Sequence, residues 1–146
     1  MLRRIALTAA ASVAALSALP ATAHATAHAS AAAPLSSPSD HLTVTVSGSG
    51  GAGDGTYELN CHPTGGTHPD AAKACERLQE VTVWGTDPFA PVPKDSMCTM
   101  QYGGPATAHV TGTWQGRPVD ATYDRSDGCQ ISRWDGLVPV LPATSA

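Results

Sequence analysis

The side chains able to do chemistry gather in a few places. Cys61, Cys75, Cys98 and Cys129 are the four cysteines of the chain. Cys98 stands between Met97 and Met100, followed by Gln101 and Tyr102, in the stretch DSMCTMQYGGP. Thioethers belong in cores or on adaptable binding surfaces. A stretch so dense in turn residues is a poor core, so it reads as one of two things. Either it is an ordinary tethered turn whose methionines fold inward, or it is a loop presented to a partner. His62 and His68 lie near the first cysteines and could suggest zinc, but Cys61 and Cys75 are not a CxxC pair, and no metal is expected. Ser, His and Asp are all present, yet no GxSxG elbow exists, since Ser47 stands two residues before Ser49. A free catalytic cysteine would leave an odd one over. Asp124 and Asp127 sit among turn residues and read as surface charge. Gly48–Gly53 formally match GxGxxG after a strand, but Asp54, Gly55 and β-formers follow where a phosphate-holding helix must open. The chain is therefore not expected to be an enzyme or to carry a cofactor.

The framework that must position these residues is small. The chain has 146 residues, room for one domain. Residues 1–25 read MLRRIALTAAASVAALSALPATAHA: two arginines, an apolar run, then Pro20 and small residues, the layout of a secretory signal. Cleavage is expected after Ala23, or after Ala25. Losing Arg3 and Arg4 leaves six Lys+Arg against twelve Asp+Glu, a net charge of −6 with His neutral. Scattered acidic charge repels phosphate backbones, and no basic amphipathic face is present, so neither nucleic acid nor membrane is an expected partner. An even cysteine count in a small exported domain reads as two disulfides, with three connectivities open. Residues 24–40 are mostly Ala, Ser, Pro and His and read as a disordered arm.

From His41 the pattern changes. Leu42, Val44 and Val46 alternate with Thr43, Thr45 and Ser47, a half-buried strand. TYELNC follows a loose glycine-rich loop as its hairpin partner. GTHPDAAKACERLQEV predicts the main helix: Thr67 or His68 as cap, Pro69 in the first turn, a stripe of Ala71, Ala74, Cys75, Leu78 and Val81, and an end near Gly85. Residues 107–125 predict two strands joined at Gln115-Gly116, with Val110, Trp114, Val119, Ala121 and Tyr123 inward. A last segment, 127–141, predicts a short closing strand. Trp84, Trp114 and Trp134 read as core or core-edge residues. The sum is α+β, with helix packed on one face of an antiparallel sheet, over residues 41–142, before a tail at 143–146.

CHPTGGTHPDAAKACERL (61–78), MCTMQY (97–102) and GTWQGRPV (112–119), with Cys129, resemble in order the Streptomyces subtilisin inhibitor-like family of secreted serine protease inhibitors. The resemblance implies a five-stranded antiparallel sheet with two helices on one side, the second lying within 124–136, and usually a homodimer. It implies the pairing Cys61–Cys75 and Cys98–Cys129. Carried over residue by residue, the scissile bond falls at Met100–Gln101, with Thr99, Cys98 and Met97 at P2, P3 and P4 and Tyr102 at P2′. The implied activity is substrate-like inhibition of extracellular subtilisin-like and chymotrypsin-like serine proteases. Relatives often carry proline where Thr99 stands. They often carry a supporting asparagine shortly before the last cysteine, where this chain has Asp127 and Gly128. The other reading is a secreted, non-enzymatic binding module of the same fold whose loop has lost inhibition.

Overall fold

The computed structural model describes residues 40–51 and 53–144. The expected signal peptide, all of the expected arm but Asp40, and the last two residues of the tail lie outside them. The described chain runs β1 (His41–Ser47), β2 (Gly55–Cys61), β3 (Thr64–Gly66), α1 (Ala71–Val81), β4 (Thr107–Trp114), β5 (Arg117–Tyr123) and α2 (Gly128–Asp135). The strands form one sheet in the order β3-β2-β1-β4-β5, every pair antiparallel. The α+β class with five strands and two helices follows.

The alternation in the sequence sets the register. Val44 stands opposite Tyr57 on one side and Val110 on the other, and Val110 stands opposite Ala121. The inward row is covered by Ala74 and Leu78 of α1 and by Trp134 of α2, so both helices close the same face over a single core. Leu137, Val140 and Leu141 complete it. The other face is polar. Thr43 reaches Glu58, Thr45 meets Thr56, and His109 Nε2 lies 2.7 Å from Asp120 Oδ1.

Several expectations are corrected. Helix α1 starts at Ala71 with Asp70 as its cap residue, because Thr67 and His68 are engaged elsewhere. Both their N–H groups donate to Glu58 O, and Thr67 Oγ1 accepts from Glu58 N at 2.9 Å. His68 is buried, its Nε2 3.1 Å from Val140 O and its Nδ1 accepting Asp70 N–H, so it ties the helix entrance to the C-terminal segment rather than serving as the cap. The helix stops at Val81, where Thr82 N and Oγ1 both donate to Leu78 O and Trp114 Nε1 donates to Thr82 Oγ1.

No closing strand forms at 137–141: Leu137 N–H and Leu141 N–H bond back to Trp134 O and Leu137 O in turns, and Pro139 has no N–H for a ladder. The fifth strand is instead Thr64–Gly66.

Asp40 is ordered. It is buried, its carboxylate accepting Gln115 N–H at 2.5 Å and facing His62 Nδ1 at 3.0 Å. The glycine-rich loop is closed rather than loose, because the Asp54 carboxylate accepts Gly48 N–H, Ser49 N–H and Ser49 Oγ–H. The Ser49 bonds, side chain first and then backbone, with Gly48 behind them, hold the Asp54 carboxyl below its ordinary range. Finally Trp84, unlike Trp114 and Trp134, stands fully exposed on the Val83–Thr86 turn, where Gly85 takes a positive φ of 83°.

Candidate functional site

Between α1 and β4 the chain forms no helix or strand from 82 to 106. Four prolines, Pro88, Pro91, Pro93 and Pro105, keep that connection out of a ladder. Its path is instead fixed by side chains. Phe89 is buried, and Tyr123 Oη donates to Pro88 O at 3.2 Å. Arg133 of α2 lies 3.9 Å over the Tyr123 ring. Its guanidinium donates to Ala90 O, Phe89 O and Thr122 O at 2.7, 3.1 and 2.6 Å. One arginine thus fastens the approach to the loop onto β5.

The tip of the segment is the methionine-flanked cysteine stretch. Met97 and Met100 are each 99% exposed, and Tyr102 is 68% exposed. The methionines do not fold inward. Cys98 between them is partly buried and bonds to Cys129 in α2, while Cys61 pairs with Cys75, the pairing that the resemblance implies. Thr99 O accepts Gly128 N–H at 3.0 Å. Beyond the exposed residues, Gly103 is buried and pairs both ways with Arg125: its N–H donates to Arg125 O at 2.8 Å, and its O accepts Arg125 Nε–H at 3.0 Å. The loop is therefore pinned on both sides of Met100 and Gln101.

Helix α2 is the brace behind this loop. It supplies Cys129, the Gly128 N–H, Arg133, and Ile131 packed against Gly103. Asp127 serves the helix: its Oδ1 accepts Gln130 N–H at 2.9 Å as the N-cap. The hydrogen bond to the loop comes from its neighbour Gly128. A Cβ at 128 would run into Thr99 Oγ1, so the absent side chain makes room for threonine at that place. Sequence reasoning missed Gly128, Gly103, Arg125 and Arg133. For the arginines no sequence signal pointed to the role. Cys98, Cys129 and Asp127 gather within 4.8 Å, but the disulfide consumes both sulfurs and leaves no thiolate for a metal.

The comparisons with known proteins decide the family. The model of the family described as subtilisin inhibitor-like matches residues 36–126. The chain belongs to that family. It is similar to subtilisin inhibitor-like protein 1 of Streptomyces cacaoi, 38% identical over 80 residues that cover 51% of this chain and 68% of that protein. It is also similar to the subtilisin inhibitor of Streptomyces violaceus, 36% identical over 139 residues, 90% of this chain and 92% of that one. Among solved structures, Streptomyces caespitosus sermetstatin in complex with Bacillus licheniformis subtilisin is 22% identical, covers 69% of this chain and 98% of its own, and has a TM-score of 0.43. The relatives are named as inhibitors, and this family member is not an enzyme.

Proposed function

We propose that this chain is a secreted, substrate-like inhibitor of extracellular serine proteases of subtilisin and chymotrypsin-like specificity, with Met100–Gln101 as the reactive bond. The observation that carries the reading is a pair of almost wholly exposed methionines on a segment pinned at both ends. A protease reads an extended peptide by its backbone and by side chains entering pockets. Met100 enters the primary pocket, where an unbranched thioether fits a broad apolar slot. Met97 fills the apolar pocket three positions upstream, and Thr99 and Tyr102 flank the bond. Because the tether holds this shape before contact, little ordering entropy is lost on binding.

The same pinning explains inhibition in place of digestion. The protease serine attacks the Met100 carbonyl carbon, the C–N bond to Gln101 breaks, and the Gln101 amine leaves with the proton relayed from that serine. In an ordinary substrate the amine then diffuses away. Here it stays beside the acyl ester, and its high effective concentration favours attack back on the ester, which restores the peptide bond and returns the proton to the serine. The complex leaves slowly, and affinity rests on a low off-rate.

The mature chain of this reading begins after Ala23 or Ala25 and carries the inhibitor domain over 41–142. A homodimer belongs to the reading through the family; the open sheet face would meet its copy with threonines, Glu58, His109 and Asp120 rather than with an apolar patch. The test is a titration of subtilisin activity with purified oxidised protein, followed by mass spectrometry. Stoichiometric loss of activity with slow cleavage only at Met100–Gln101 is expected. Rapid digestion at many sites without loss of activity would refute it.

A further inference from the structure

The two halves of the loop are held by different chemistry. Upstream of the reactive bond the anchor is covalent, through Cys98–Cys129. Downstream there is no cysteine before β4, so after cleavage the new Gln101 amine is held only by what grips the chain beyond it. That grip is Arg125. Its backbone O accepts Gly103 N–H and its Nε donates to Gly103 O, so one residue satisfies both polar groups of one glycine. Its guanidinium is itself fixed. The side chain is 5% exposed, Nη1 donates to Asp135 Oδ1 at 2.6 Å, and Cζ lies 5.9 Å from the centre of the buried Trp134 ring. An arginine placed only for solubility would not be taken out of water. Burying a guanidinium is costly unless it is paired and hydrogen-bonded, and here it is paired with Asp135 of α2 and hydrogen-bonded to Gly103 O of the loop.

We infer that Arg125 is a positioning residue that retains the leaving half of the cleaved loop and so sets the balance between intact and clipped inhibitor. The inference rests on the inhibitory reading above. With Arg125 in place, only Gln101 and Tyr102 are free ahead of the pinned Gly103. Without its guanidinium, Gly103 keeps only the N–H bond to the backbone O of residue 125, the grip loosens, and the amine samples a larger volume. Intact inhibitor is held at Gly103 by its uncut chain as well as by Arg125. Clipped inhibitor has Arg125 alone. Removing the arginine therefore penalises the clipped form's readiness to religate more than it penalises the intact fold.

The experiment measures the ratio of clipped to intact protein at equilibrium with catalytic subtilisin, approached from both the intact and the pre-clipped side. The parent, Arg125→Met, Gly103→Ala and Arg77→Met are compared, each with its thermal midpoint. Arg77→Met is the control, because Arg77 also loses a backbone carbonyl partner and a carboxylate but bonds only Gly136 and Glu80, away from residues 97–103. Arg125→Met is expected to raise the clipped fraction about tenfold, the scale of losing a hydrogen bond from a charged donor, and to slow resynthesis. Arg77→Met is expected to lower the midpoint without moving the ratio. Gly103→Ala drives a Cβ to within 2.7 Å of Ile131 Cγ1 and 3.1 Å of Arg125 Nε, and shifts the ratio the same way even if Arg125→Met does not fold. Equal ratios for the parent and for whichever of the Arg125 and Gly103 variants fold, while the parent inhibits normally, would overturn the inference and leave the inhibitor reading standing. A parent that is digested without inhibiting would instead overturn that reading.

Discussion

Exchanging each cystine for a pair of alanines separates stability from preorganisation. Cys98–Cys129 closes a sequence separation of 31 and Cys61–Cys75 one of 14. In the chain-entropy account, opening them releases about 4 and about 3 kcal/mol of unfolded-state entropy. The second pair lies in the core, Cys61 1% and Cys75 4% exposed, so its loss adds a cavity cost of another ~1–2 kcal/mol. The two double variants thus lose similar stability, and Cys61→Ala/Cys75→Ala loses at least as much. Their effects on inhibition should diverge. Freeing Met97, Cys98 and Thr99 restores roughly 1–2 kcal/mol of backbone entropy per residue, so binding must repay about 3 kcal/mol or more, at least a hundredfold in Kd. Chemical denaturation gives the stabilities, and titration of subtilisin with a mass-spectrometric time course gives affinity and cleavage. Cys98→Ala/Cys129→Ala is expected to become a substrate cut at Met100–Gln101. The core variant, assayed at a temperature where it is folded, is expected to inhibit almost as the parent does. If both variants turned into substrates at the same rate, general softening and not the loop tether would govern inhibition, and the preorganisation argument would fall.

Other outcomes follow from single groups. Met100→Lys should gain at least a hundredfold in affinity for trypsin, whose primary pocket holds a buried carboxylate, and lose affinity for chymotrypsin; inhibition assays against both enzymes check it, and an unchanged trypsin constant would remove Met100 from the primary position. Gly128→Ala should weaken inhibition about tenfold by pushing Thr99 Oγ1 aside, and adding Thr99→Ala should restore most of it. Purely additive losses in that double-mutant cycle would refute the pairing. Burial pushes the Tyr123 phenol up to about 12, against the opposing pull of Arg133 and with a small push from Asp87. An acid whose folded pKa is raised stabilises fully below its unfolded value near 10 and loses that stability as pH climbs from there to about 12. About 2–3 kcal/mol should vanish across this window, and Tyr123→Phe should flatten the alkaline limb of the stability curve.

Most of the sheet was legible because each long strand buries one face, so Leu42/Val44/Val46 and Val119/Ala121/Tyr123 carry the period of two in plain view. Thr64–Gly66 carries no such signal. Three small residues pair with β2 through backbone alone, and at Gly66, with a positive φ of 102°, a Cβ would strike Glu58 O. The apolar run at 137–141 carried a false one, since short apolar runs fill cores in turns as well as in strands. At the head of α1, capping chemistry lost to tertiary bonding: Thr67 is a good cap by type, but β2 claims it. Helix α2 was placed only through family resemblance. Its eight residues bury one side chain, Trp134, which is too little for a helical stripe to read.

That weak helix is where the site is decided. The sequence marks the exposed half of the loop well, because methionines beside a cysteine and turn residues are an unusual pairing. It hides the supporting half, because support comes from backbone groups and from Arg125, whose burial no pattern announces. Departures from the family pattern at Thr99 and Asp127 then take a different meaning. In isolation each reads as a lost support. Together with Gly128 they form one arrangement, in which Asp127 caps the helix, Gly128 offers its N–H to Thr99 O, and the missing Cβ at 128 admits the threonine side chain. The rigidity that a proline at 99 would supply through its ring comes here from contacts made at residues 127–129. A chain carrying proline at 99 but keeping Gly128 would therefore gain less rigidity than the ring alone suggests, because the space that threonine fills would be left open.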